Sequence, residues 1–329
     1  MENELSITFV VLTFNHADYV VVHLESIAAI VINYNQIKLH DLVISDDASQ
    51  DSTTVEVSKW LNQNHQIFRS VTTFFNSKNV GTCNNFLKAT ENIRTAFVKA
   101  TGGDDLFSDE DIFSELKKSG KAEIIGSQPL TLIEDELYRF SFFNILHAAS
   151  NAVYANTHFR RLLVRHSAIY TPGLIYSANL ICDERIRKFI GKYVLVEDRP
   201  CWIAITECYP SVKYWVSDKH LVYYRRTRMS AYLIAGRQVF NDQLKCLQYL
   251  SNIETSFFSR YLIGNRIWLM NKCPNQLKAF CDLGKLIFII ELIFKFPSFL
   301  FNIKLLGINL KKHKAHYNRM KENAVRFKA

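Results

Sequence analysis

Ile7-Thr8-Phe9-Val10-Val11-Leu12, broken off by Thr13-Phe14-Asn15-His16-Ala17-Asp18, sets the reading of the whole chain. A run that is apolar and β-rich throughout has both faces covered, as an inner strand of a parallel sheet does. Tyr19–Ile32 then reads as a helix. Asp41–Ser45 is a second short strand, and it ends on the acidic loop Asp46-Asp47-Ala48-Ser49-Gln50. Asp51-Ser52-Thr53 can cap a helix that runs through Trp60. Val71–Phe75 is a third strand, Asn79-Val80-Gly81 a turn, and Cys83–Asn92 a helix. Thr95–Lys99 is a short fourth strand that leads into Gly102-Gly103-Asp104-Asp105. This alternation predicts an α/β fold with a mostly parallel sheet flanked by helices. Ligands of such sheets bind beyond the carboxyl ends of the strands, where both acidic loops fall.

The chain is less regular beyond Asp109. Glu123–Gly126 is an expected strand, Phe140–Arg165 reads as a helix rich in aromatic and basic residues, and Thr171-Pro172-Gly173 is a turn. Tyr193–Val196 reads as an apolar strand, and Asp198 opens a helix through Cys208 with Pro200 in its first turn. Val212–Trp215 and His220–Tyr224 are short strands, and the pattern is helical from about Ala231 onward. Two regions follow: a catalytic domain over 1–230 and a helical, apolar and basic region over 231–329.

A length of 329 residues, 48% hydrophobic, suffices for a large core. The net charge of +9 favours an anionic partner. Nucleic acid is not expected, because no basic patch interleaves with exposed aromatics on one strand or helix. Seven cysteines without a CxxC pair point to reduced, buried side chains and away from a zinc site or a disulfide framework. Glu2 and Glu4 precede the first apolar run, which reads as a strand and not as a cleavable leader.

The acidic loops carry the chemistry. Asp46 or Asp47, at a strand end, can accept hydrogen bonds from a uracil or a ribose; the same Ser-Asp-Asp-Ala-Ser segment would equally serve as a turn and helix cap. Asp104 and Asp105 follow two glycines, so their loop is open enough for Mg²⁺ or Mn²⁺ to meet a carboxylate and diphosphate oxygens together. A surface turn is the alternative there. Glu197 and Asp198 are an acidic pair in which one carboxylate can act as general base and the other raise its proton affinity. Arg225, Arg226 and Arg228 beside Tyr223-Tyr224 suit phosphate contacts, or a solvated strand end.

As an ordered set, these motifs resemble the family 2 glycosyltransferases of GT-A fold, in particular the bacterial enzymes that build capsule and lipopolysaccharide O-antigen. Leu12-Thr13-Phe14-Asn15-His16 resembles the opening motif, and Ile44-Ser45-Asp46-Asp47-Ala48-Ser49-Gln50-Asp51-Ser52-Thr53 the nucleotide-binding loop. Asn79-Val80-Gly81-Thr82-Cys83-Asn84-Asn85-Phe86 is similar to the helix start that follows, and Gly103-Asp104-Asp105-Leu106-Phe107 to the metal-binding region. Thr171-Pro172-Gly173-Leu174-Ile175-Tyr176 resembles the acceptor-side strand, Val196-Glu197-Asp198-Arg199-Pro200 the base-bearing segment, and Val222-Tyr223-Tyr224-Arg225-Arg226 the segment closing the site.

The resemblance implies an inverting transfer from a nucleotide-diphosphate sugar to a glycan carried on a polyprenyl diphosphate. It implies Thr13, Asn15, Asp46, Asp47, Asn85, Asp104, Arg225 and Arg226 on the nucleotide, Asp104 and Asp105 on the metal, and Asp198 with Glu197 as catalytic residues. The sequence departs from the family in having Gly102 where an acid is expected and Thr227 where a histidine often stands. A Gln-x-x-Arg-Trp motif is absent, which implies single additions. The Gly102 departure also leaves open a catalytically inactive, sugar-nucleotide-binding or scaffold role.

Lys285–Leu310 is dense in Leu, Ile and Phe but interrupted by charge, and Lys311–Lys328 is basic. The segment is too interrupted to span a bilayer. It is expected to hold the protein on the anionic cytoplasmic leaflet, as a peripheral protein of the inner membrane face. Packing on the catalytic domain, or on a second subunit of a homodimer, is the alternative.

Overall fold

In the computed structural model, residues 5–138, 159–165, 171–227, 235–294 and 309–328 are described. Of the helix expected over Phe140–Arg165, the part before Phe159 lies outside them; so do Arg228, the boundary near Ser230 and residues 295–308 of the apolar C-terminal run.

The first third of the chain folds as expected. It comprises β1 (Ile7–Thr13), α1 (Val20–Asn33), β2 (Asp41–Asp46), α2 (Thr53–Asn64), β3 (Ser70–Phe75), α3 (Thr82–Ala89) and β4 (Phe97–Gly102). Shorter pieces follow: β5 (Leu106–Phe107), α4 (Ile112–Lys118), β6 (Ile124–Gly126), β7 (Leu130–Ile133), β8 (Glu136–Tyr138) and α5 (Phe159–Arg165). Beyond the 3₁₀ turn Thr171–Gly173 come β9 (Ile175–Ser177), α6 (Ala178–Cys182), α7 (Glu184–Ile190), α8 (Asp198–Cys208), β10 (Tyr214–Val216) and β11 (Val222–Arg225). The rest is helical: α9 (Gly236–Ile253), α10 (Phe257–Lys272), α11 (Asn275–Cys281), α12 (Leu283–Phe294) and α13 (Leu310–Lys328).

Seven strands form the main sheet in the order β10-β6-β9-β4-β1-β2-β3. β9 runs antiparallel to both neighbours, and the remaining pairs are parallel. β1 is apolar throughout because its residues alternate between two buried layers. Phe9 and Val11 pack with Leu24 and Ile27 of α1 and Trp60 of α2. Val10 faces the other layer, with Phe86 of α3 and Trp202 of α8. The register sets Thr13 opposite Asp46 and Leu12 opposite Gly102, so the two acidic loops leave the sheet side by side.

Two expectations are corrected. Tyr193–Val196 is not a strand. The carboxylate of Asp242, fully buried on α9, accepts from the backbone N–H groups of Val194, Leu195 and Val196 at 3.0, 2.8 and 3.3 Å. One side chain thus supplies the partners that a neighbouring strand would otherwise give.

The basic tail is the second. α13 packs on α1 and β8, and its Tyr317 and Met320 join Leu106, Leu130, Leu132 and Tyr223 in a small core under the second sheet, ordered β5-β11-β7-β8. Lys312 lies 3.3 Å from Asp109, Lys321 lies 2.7 Å from Asp135, and Lys314 pairs with Glu136. Three of the seven basic side chains expected to face lipid are therefore paired with acids of the catalytic layer. Among the described residues no helix is long and apolar enough to cross a membrane.

Candidate active site

The loops after β1 and β2 are stitched to each other by side chains. Thr13 Oγ1 donates to Asp46 Oδ2 at 2.8 Å, and the Ser49 N–H donates to Asp46 Oδ1 at 2.8 Å. Asn15 sits in the left-handed region (φ 56°), which Asn tolerates better than most residues. There its N–H donates to Ser49 Oγ and its Oδ1 accepts from the Gln50 N–H, both at 2.8 Å. Asp47 accepts from the N–H groups of Val80 and Gly81 at 2.7 and 3.0 Å, which fixes the turn before α3. Asn85 Nδ2 donates to the Ser45 carbonyl at 3.0 Å, and its Oδ1 accepts from Ser45 Oγ at 2.6 Å.

Asp46, Asp47 and Asn85 are thus buried and engaged inside the protein. They shape the rim of the site. What this rim presents outward is the short segment Ala48–Gln50, with Gln50 exposed.

The second loop is gripped from beneath. His23 of α1 is neutral, since burial pulls its pKa down to about 4. Its Nδ1–H donates to the Asp105 carbonyl at 2.8 Å, and its Nε2 lies 3.2 Å from Thr101 Oγ1. The Asp105 carboxyl is buried and accepts from the Arg225 N–H at 3.1 Å. Burial, and then the neighbouring charge of Asp104, push its pKa well above the usual carboxylate range.

Asp104 is the half-buried member of the pair. Its Oδ1 lies 4.0 Å from His16 Nε2. The same oxygen would stand 2.6 Å from a Cβ placed on Gly102, so Asp104 occupies the room that an acid at 102 would need.

Arg225 is buried beneath this loop. Its Nε donates to the Asp104 carbonyl at 2.9 Å, and Nη1 lies 3.2 Å from Asp135 Oδ1. Its guanidinium stands 4.7 Å from the Tyr19 ring centre and 5.8 Å from that of Tyr317 on α13. Arg226, one residue on, is exposed. Tyr19, Asp135 and Tyr317 were not singled out from the sequence, because nothing local links residues so far apart along the chain.

Glu197 and Asp198 stand at the start of α8. Asp198 Oδ2 accepts from Thr171 Oγ1 at 2.6 Å, and Oδ1 accepts from the Arg199 N–H at 2.6 Å. Thr171–Gly173 packs against β4 and β11, the two strands that carry the Asp104 loop and Arg225. Lys99 of β4 is buried and donates through Nζ to the carbonyls of Pro172 and Leu174, the latter at 3.1 Å. Burial draws its pKa down to about 7, against the attraction of Asp105. One turn thus ties the acidic pair to the Asp104 loop.

The raised proton affinity falls on Glu197. Burial, then the charge of Asp198, push its carboxyl up to about 8. Lys99 could have been suspected only as a charged residue within an apolar run, and Asp242, between Asn241 and Gln243, carries no local signal at all.

Among the described residues no group of three or more His, Cys, Asp or Glu side chains could enclose a metal ion. The residues fit the sparser site that Mg²⁺ and Mn²⁺ accept, in which one or two carboxylates are completed by substrate phosphates and water. Asp104 is the carboxylate placed to provide it.

Residues 8–166 match the model of glycosyl transferase family 2. No curated protein matches the chain in sequence. S. aureus TarS 1-349 in complex with UDP-GlcNAc is similar in structure, with a TM-score of 0.54 at 15% identity over 98% of this chain and 92% of that one. The mannosyltransferase PcManGT from Pyrobaculum calidifontis, in complex with GDP-Man and Mn²⁺, gives 0.55 at 11% identity over 98% and 86%. At these identities the likeness is one of fold. Residues 8–166, just under half of the chain, are thus a glycosyl transferase family 2 domain, and the fold shared over nearly the whole chain is that of a glycosyltransferase of GT-A type.

Proposed function

We propose that this glycosyltransferase is inverting, and that it moves one sugar from a nucleotide-diphosphate donor to a glycan on a polyprenyl diphosphate. Its place would be the cytoplasmic face of the membrane, in surface polysaccharide synthesis. The observation that carries the reading is the setting of Asp198. Both its oxygens are oriented by neutral donors, on the turn packed against the diphosphate-side loop.

Asp198 accepts the proton of the acceptor hydroxyl. The hydroxyl oxygen forms its bond to C1 of the sugar from the face opposite the diphosphate. The C1–O bond breaks, and the nucleotide diphosphate leaves with the electron pair. Glu197 keeps its proton at neutral pH, so it lines the site without competing as base.

Mg²⁺ or Mn²⁺ held by Asp104 would neutralise the charge growing on the leaving diphosphate. Arg225 holds the Asp104 backbone in place, and exposed Arg226 is free to turn toward a phosphate. Thr13, Asn15, Asp46, Asp47 and Asn85 build the rim against which the base and ribose lie.

The test is transfer from a panel of UDP-, GDP- and dTDP-sugars to a short-chain prenyl-diphosphate sugar, followed by mass spectrometry with and without Mn²⁺. Asp198→Asn should lower turnover by about 10²- to 10⁴-fold while nucleotide binding persists. More than half of wild-type turnover in that variant would remove Asp198 from the role of base.

A further inference from the structure

Lys99 of β4 is wholly buried, and its Nζ meets neutral carbonyls there, not a carboxylate. The ring centre of Phe107 lies 5.8 Å away. A lysine is almost never buried without an ion-pair partner, and hiding its polar end costs stability that a methionine would keep. What Lys99 secures in return is the segment Thr171–Leu174.

All the carbonyls of that segment are engaged. Those of Pro172 and Leu174 accept from Lys99 Nζ, that of Gly173 accepts from the Ser127 N–H at 2.9 Å, and that of Thr171 accepts from the Leu174 N–H at 2.9 Å. A Cβ on Gly173 would stand 1.8 Å from the Ser127 carbonyl oxygen, so only glycine lets the turn sit this close to the end of β6. With its backbone held in this way, the turn presents the Thr171 hydroxyl to Asp198 Oδ2 at 2.6 Å. Asp198 thus rests at one oxygen on its own helix and at the other on a turn that Lys99 seats.

We propose that Lys99 is a positioning residue of the transfer: it fixes the place of the Thr171–Leu174 turn and, through the Thr171 hydroxyl, aims the Asp198 carboxylate at the acceptor hydroxyl. It touches neither substrate nor base. This rests on Asp198 as the base, as proposed above. A lysine that only filled the core would affect rate no more than it affects stability. A lysine that served the Asp104 loop would act on donor binding. Asp105 attracts Lys99, but the hydrogen bonds of Nζ run to the turn and not to that loop.

The test has an arm without substrate and a kinetic arm. Hydrogen exchange is followed at the N–H groups of Leu174 and Arg199, which donate to the Thr171 carbonyl and to Asp198 Oδ1. The control is the Gly103 N–H, which donates to the Leu12 carbonyl at 2.8 Å beside Asp104. Lys99→Met should speed exchange at Leu174 and Arg199 about tenfold and leave Gly103 within about twofold. Thr171→Val should speed Arg199, and adding Lys99→Met to it should change Arg199 no further. Lys99→Arg, which keeps donors for both carbonyls, should restore slow exchange. In transfer to the short-chain prenyl-diphosphate sugar, Lys99→Met should lower turnover about tenfold and leave the donor KM within about twofold. The double variant with Thr171→Val should stay within about twofold of the slower single variant, since both act on one carboxylate. Should Lys99→Met not fold, Lys99→Gln, which keeps an amide donor at shorter reach, is measured in its place and should show the same pattern at smaller size.

Unchanged exchange at Arg199 in Lys99→Met overturns the proposal. So do losses that multiply in the double variant, or a raised donor KM with unchanged turnover. Asp198→Asn is run beside these chains. If it keeps more than half of wild-type turnover, the base reading falls and the role of Lys99 falls with it. If it is inactive while the losses of Lys99→Met and Thr171→Val multiply, the role of Lys99 alone is overturned.

Discussion

Asp198 receives one hydrogen bond from its own helix and one from Thr171, and only the second depends on a distant residue. Thr171→Val removes that donor at nearly constant volume. The carboxylate then loses the partner that aims it, with little change in donor contacts. Turnover should fall about tenfold, the donor KM should stay within about twofold, and Thr171→Ser should restore most of the rate. A rise in donor KM with unchanged turnover would place Thr171 on the nucleotide side instead. At this scale the sequence was informative about type and order. The acids at 46, 47, 104, 105, 197 and 198 all lie at strand or helix ends, as their motifs indicate. Their division of labour was not legible. Which acid is fully buried, as Asp46 and Asp105 are, and which is only half-buried, as Asp104 is beside His16, depends on partners supplied from elsewhere in the fold.

The elements that escaped the sequence were those whose partners are remote. Inner strands such as β1 and β2 are apolar at almost every position and announce themselves. The segment 194–196 has the same composition, yet its backbone is satisfied by Asp242, 46 to 48 residues away. Asp242→Ala would leave three N–H groups without acceptors and should cost about 3 kcal/mol or more in stability. Asp242→Asn keeps one oxygen for the three donors and should cost about half as much. In Asp242→Asn the loop before Glu197 should still loosen, so turnover should drop more than thermal stability does. Chemical denaturation and steady-state kinetics on both variants check the order. α13 poses the same problem in charge. Its lysines read as a free basic tail because Asp109, Glu110, Asp135 and Glu136 stand about 180 to 200 residues earlier. Tyr317→Phe removes the hydroxyl that contacts both Asp135 and Arg225. It should lower stability by about 1 kcal/mol and loosen the Asp104 loop, seen as weaker nucleotide binding in a thermal-shift titration.

For the molecule as a whole, the layer between the sheet and α1 is held by groups that stay neutral in the fold. His40 illustrates it. Its ring is buried, stacked 4.6 Å from Phe113 with an interplanar angle of 5°, and its Nδ1 accepts from the Ile7 N–H at 3.1 Å, at the start of β1. Burial, and then the positive charge of Arg69, draw its pKa down from 6.5 to about 4. A proton on Nδ1 would abolish that hydrogen bond and leave a charge in the core. The sign follows from linkage. Between about pH 6.5 and 4 the unfolded chain binds the proton and the folded chain does not, so folding is favoured more as pH rises. The contribution is complete above pH 6.5, declines as pH falls, and is lost below about 4. At full size it is up to about 3 kcal/mol. His23, drawn down by burial to about the same value, acts in the same direction beneath the Asp105 loop. The share of the two histidines should therefore lower denaturant midpoints from about pH 6.5 to pH 4.5, against an opposite slope from Glu197, which takes up a proton on folding over the same range, so the reading is the difference between variant and wild type. A His40→Gln chain, which offers an amide oxygen to the Ile7 N–H and cannot ionise, should show a visibly flatter acid limb. An unchanged slope in that variant would assign the acid sensitivity to other groups, His23 first among them.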